Sequence, residues 1–135
     1  MTDKPALVCF VAALAVVGVS LSAHHSAAVY ENSTIVMKDV TMTGVIWANP
    51  HTLLTFDVTD ASGNTATWNV ESGSPSSLSS RGWNRNSVRT GDSATVELYP
   101  SRNGSRVGRL AEIIFSDGRE LLDSQNRNEP QHLQQ

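Results

Sequence analysis

The residues best equipped for chemistry in this chain are its imidazoles. Four histidines occur, His24, His25, His51 and His132, against a single cysteine, Cys9. His24 and His25 follow Leu21-Ser22-Ala23, small-residue sequence of the kind cut on export. After such a cut His24 carries a free amine and an imidazole on one residue, two nitrogens able to chelate one ion. His25 adds a chelate through its backbone nitrogen, which Cu(II) can deprotonate. Nitrogen-rich tetragonal sites favour Cu(II) or Ni(II), and copper leads the divalent affinity order. His51, in the Asn49-Pro50-His51 turn, supplies a third imidazole. The expected metal set is therefore His24, His25 and His51, with copper first. The plainer alternatives are a His-His terminus that binds metal opportunistically and a His51 that caps its own turn. His132 lies in a polar tail and is read as incidental.

Trp47 and Glu71 are the remaining ligand or rim candidates. Trp47 stands beside the Asn-Pro-His turn, where an aromatic on a barrel rim can stack on a sugar or base. Trp68 alternates with Ala66 and Val70 and reads as core, and buried aromatics dominate small cores. Glu71 can act as a ligand or can neutralise the start of a helix just after it. The carboxylates form no evident catalytic pair. No G-x-S-x-G, H-E-x-x-H or phosphate-binding glycine loop is present. The expectation is a protein without enzymatic activity.

The elements that must position these residues are mostly strands. From Val40 the sequence alternates, with Val40, Met42, Gly44 and Ile46 on one face and Val45 and Trp47 on the other. Further strands are expected over 53–58, 65–70, 93–99 and 109–115. Asp60-Ala61-Ser62-Gly63-Asn64 reads as a hairpin loop. Asp117-Gly118 closes a small terminal hairpin onto Glu120-Leu121-Leu122. A short helix is expected over 74–81. Ser74 caps it, Pro75 suits its first position, and Gly82 stops it, with Trp83 meeting Leu78 in a Schellman ending. Three strands, a helix and two strands is the order of the OB-fold, a small five-stranded Greek-key barrel. The fold class expected is all-β with one short helix, OB-like, with a plain β-sandwich as the alternative.

Residues 6–19 form a nearly unbroken apolar run, shorter than the roughly 20 residues of a membrane span. Its length suits the apolar region of a secretory signal. The expected organisation is a signal peptide over 1–23, one β domain over 24–123 and a disordered polar tail over 124–135. A retained N-terminal anchor is the competing reading. Cys9 lies inside the apolar run, so the exported domain has no cysteine for a disulfide, a thiolate metal site or thiol catalysis. Removing Lys4 and Asp3 takes one from each of the 10 cations and 13 anions, so the net charge stays −3. That balance gives no electrostatic footprint for nucleic acid. A periplasmic or secreted location is expected, with no membrane association after cleavage.

Several strings together resemble a family of small exported bacterial proteins of unknown function. They are Ala23-His24-His25-Ser26, Trp47-Ala48-Asn49-Pro50-His51, Trp68-Asn69-Val70-Glu71, Gly73-Ser74-Pro75 and Arg81-Gly82-Trp83. The resemblance implies export, a compact β domain, a His-His start and an Asn-Pro-His turn, and it brings no activity. In the family pattern an aromatic follows His-His-Ser and an acid comes a few positions later. Here Ala27, Ala28, Val29 and Tyr30 fill that stretch and Glu31 is the nearest acid. The leading expectation is an exported protein that binds or handles a metal ion, copper first. The alternative is an OB-type accessory module for a saccharide, a cell-wall component or a partner protein, with a haem-handling role third.

Overall fold

The computed structural model describes residues 29–123. The expected signal peptide, His24, His25, the polar tail and His132 lie outside the described residues. Seven elements follow one another: β1 (Ile35–Ile46), β2 (Leu53–Thr59), β3 (Thr65–Glu71), α1 (Pro75–Ser79), β4 (Ser93–Pro100), β5 (Val107–Phe115) and β6 (Glu120–Leu122). The sheet runs β3-β2-β1-β4-β5-β6, and a parallel pairing of β3 with β5 closes the first five strands into a barrel. This is the OB-like architecture the order of elements implied, and closure removes the edges that a sandwich would leave.

β1 is shared between the two halves of the barrel. Its first half pairs with β4 and its second half with β2. Val40 and Met42 are fully buried, as the alternation requires. Beyond them the expected face fails: Ile46 is 60% exposed, while Val45 and Trp47 pack against the core. A bulge between Met42 and Gly44 is the cause. One extra residue in a strand exchanges its inward and outward sets. A second irregularity lies between Met37 and Val40, where Asp39 adopts a positive φ of 54°. The strand also begins at Ile35, five residues before the alternation becomes visible.

α1 plugs the barrel between β3 and β4 with Leu78, which is fully buried. Ser74 is its N-cap, accepting from the Ser77 amide at 3.3 Å, and Pro75 is the first helical residue. The amides of Gly82 and Trp83 donate to the Ser79 and Leu78 carbonyls, both at 3.1 Å. Those two bonds make a Schellman ending, and the φ of +88° at Gly82 is the left-handed conformation it requires. Trp83 is buried against the core and donates its indole N–H to the Leu122 carbonyl at 3.1 Å. The helix end is thereby tied to β6.

Gly108 marks the closing seam. It pairs with Val70 of β3 on one side and Pro100 of β4 on the other. A Cβ there would stand 2.7 Å from Leu98 Cδ1 and 3.0 Å from the Tyr99 carbonyl oxygen. A side chain there would crowd β4, which a glycine avoids.

Candidate functional site

Beside that seam lies a half-open pocket of about 250 Å³, lined by Tyr30, His51, Glu71, Ser72, Gly73, Arg109 and Asp123. Each residue arrives by a different route. The β2–β3 ladder continues past its strands, with the Ser72 amide donating to the Thr52 carbonyl and the Thr52 amide to that of Gly73. The Asn49-Pro50-His51 turn therefore delivers His51 beside Ser72. His51 Nδ1 lies 3.2 Å from the Ser72 carbonyl oxygen. A carbonyl can only accept, so this bond places the hydrogen on Nδ1 and leaves Nε2 bare in the neutral ring. The expected capping contact and the expected ligand role are thus compatible.

Glu71 and Arg109 are register partners across the parallel β3–β5 pair. Tyr30 is fixed by a bridge to Ser101 and by Arg102, whose Nε donates to the Tyr30 carbonyl at 2.6 Å. The Tyr30 hydroxyl donates to the Glu71 carboxylate, and burial, that bond and the carboxylate charge raise the phenol above its ordinary pKa. Arg109 opposes them weakly. The Tyr30 phenol is therefore a donor held in its neutral form.

Asp123 comes from just beyond β6 and is only 5% exposed. Its Oδ1 accepts from the Ser72 hydroxyl at 2.6 Å and the Gly73 amide at 2.8 Å. Its Oδ2 faces Arg109 Nη2 at 3.8 Å. A buried carboxylate needs such partners, and here they fasten the end of β6 to the turn between β3 and α1.

Of the residues singled out by sequence, His51 and Glu71 meet in this pocket. Trp47 does not line it and is half-buried against the core, as is Trp68. Among the described residues no group of three or more His, Cys, Asp or Glu side chains is arranged to hold a metal ion. A three-imidazole site needs His24 and His25, which lie outside them. Sequence reading missed Tyr30, Arg109 and Asp123. The one local signal was Arg109, a cation in the Val107–Phe115 strand, which also carries Glu112; Tyr30 and Asp123 enter only through long-range pairing.

The fold and pocket define a small closed OB-type barrel with a polar, partly buried cleft at its β3–β5 seam. A family model described as a family of unknown function (DUF6152) matches residues 12–111, and the chain belongs to that family. No curated protein and no solved structure matches the chain.

Proposed function

We propose that this protein is an exported, non-enzymatic binding protein that takes a metal ion, copper first, between His24, His25 and His51. The observation that carries the reading is the setting of His51. Its ring is oriented by the Ser72 carbonyl with Nε2 free, the arrangement in which a metal-binding histidine gives its other ring N–H to a fixed acceptor. Tyr30 lines the same pocket as His51 and stands five positions after His25. Five residues span at most about 18 Å, which keeps both N-terminal imidazoles within reach of that rim. Glu71 lies at the same pocket as an oxygen donor for the rim.

The test is a protein that begins at His24. It is expected to bind one Cu(II) with a nitrogen-rich tetragonal EPR spectrum, more weakly as falling pH protonates the imidazoles. One glycine added before His24 converts the amine to an amide and should change the spectrum strongly. His51→Ala should weaken binding by a smaller factor. If both variants keep the parent affinity and spectrum, the copper reading fails.

The accessory-module reading has one observation of its own. Ile46 and Leu53, register partners beside Trp47 and the Asn-Pro-His turn, are 60% and 43% exposed. Failure of the copper test would put that apolar pair first as a contact for a protein or saccharide.

A further inference from the structure

Two opposite charges face the pocket side by side without satisfying each other. Glu71 and Arg109 are direct partners on adjacent parallel strands, where neighbouring strands lie about 4.8 Å apart. Glu71 nevertheless gives its carboxylate to the Tyr30 hydroxyl. Arg109 turns toward Asp123 and reaches it only at 3.8 Å. That distance is an ion pair and exceeds a hydrogen bond, so the guanidinium retains its N–H donors toward the pocket. Glu71 likewise retains lone pairs beyond the one that Tyr30 occupies. Asp123, by contrast, spends Oδ1 on Ser72 and Gly73.

We infer that the pocket binds a small zwitterion of the α-amino-acid class, its carboxylate on Arg109 and its ammonium on Glu71. A planar guanidinium takes a carboxylate through two parallel N–H bonds. A carboxylate with a spare oxygen, already steadied by a neutral phenol, takes the ammonium. Glu71, Asp123 and Arg109 give the pocket a formal charge of −1, which repels a simple anion and leaves a neutral zwitterion unopposed. The floor includes Tyr30 and Ser72, 6% and 3% exposed, so part of the ligand leaves water on binding. The volume of about 250 Å³ falls below the roughly 300 Å³ where pockets for drug-sized ligands begin, which suits a small metabolite. The metal reading rests on imidazoles and leaves Arg109 unused, with Glu71 only a neighbour at the rim of the shared pocket, so the zwitterion proposal does not depend on it.

The test is an NMR titration of the chelator-treated protein that begins at His24 with alanine, acetate and methylammonium as separate probes. Alanine should shift the backbone amides of Ser72, Gly73 and Arg109 and bind at least tenfold tighter than either half-ligand. Arg109→Gln and Glu71→Gln should each weaken alanine about tenfold while spectra away from the pocket stay unchanged. Acetate or methylammonium binding as tightly as alanine overturns the proposal, as does alanine binding that survives both substitutions or alanine shifts that fall elsewhere. Because the wild-type chain alone supplies the half-ligand comparison, poor folding of a variant does not decide the outcome. Copper binding measured on the same sample separates this result from that of the metal reading.

Discussion

At the hairpin over 60–64, Asp60 organises its own loop in open solvent, whereas at the other end of β3 Asp123 organises a loop fifty residues away and is nearly buried. Asp60 accepts from the amides of Ser62 and Asn64, two and four positions along the chain. Asp123 accepts from Ser72 and Gly73 and faces Arg109 of β5. The two carboxylates perform the same local task of satisfying turn donors. They differ in what happens when they are removed. Water can replace Asp60 at an exposed loop, but it reaches the donors around Asp123 poorly, and unsatisfied buried groups keep their full desolvation cost. Burial at one end is also what creates a pocket, since a cleft with fixed polar walls needs partners that come from distant strands.

The sharpest way to break the contrast is Asp123→Ala. It leaves the buried Ser72 hydroxyl and the Gly73 amide without their acceptor, and the expected loss is about 2–3 kcal/mol in urea unfolding. Asp123→Asn keeps one acceptor oxygen and should lose less. Because Ser72 carries the carbonyl that orients His51, the His51 ring nitrogens should also shift in ¹⁵N spectra of the alanine variant. An unchanged midpoint and unchanged ring signals would show that the buried carboxylate is no more important than the exposed one.

The seam gives a second, somewhat smaller effect. Gly108→Ala forces a methyl against Leu98 Cδ1 and the Tyr99 carbonyl oxygen, and the backbone atom cannot swing aside as a side chain can. Overpacking of this kind costs about 1–3 kcal/mol. The strain falls beside Arg109, so the loss of stability should come with displaced Arg109 and Glu71 amide signals, while those of the 60–64 hairpin remain in place. Equal displacement of both regions would mean that the two ends are coupled as one unit.

What the sequence discloses follows the same division. The helix ends were legible because Ser74, Pro75, Gly82 and Trp83 act through bonds to residues at most five positions away. Asp60 and Gly63 announced their hairpin for the same reason, and strand order with an intervening helix was enough to reach the barrel. The bulge in β1 was not legible, because Met42 and Gly44 reveal it only against Phe56 and Thr55 of the neighbouring strand. The pocket was half legible. His51 and Glu71 stand out by residue type beside a turn and a cap, but their companions Tyr30, Arg109 and Asp123 converge only once β5 closes on β3 and β6 folds back on β5.

The smallest expected effect lies at the exposed end and concerns acid. Asp60 is held below its ordinary pKa, first by the Asn64 side-chain amide at 3.1 Å, then by the Asn64 backbone amide at 2.9 Å. A carboxyl depressed in the folded state stabilises the fold above its unfolded pKa, about 3.9 for an aspartate. That contribution is lost as pH falls through the folded value, because the unfolded chain then binds the proton more readily. The window therefore opens just below pH 4 and extends downward. Solvent screening keeps the contribution slight, so Asp60→Asn should leave the neutral-pH midpoint nearly unchanged and flatten the stability curve only below that pH. Carbon-detected NMR of the Asp60 carboxyl supplies the direct measurement. A carboxyl that titrates at or above the usual aspartate value would mean that the loop donors turn to water, and that the exposed end of β3 owes its shape to Gly63 and the strands alone.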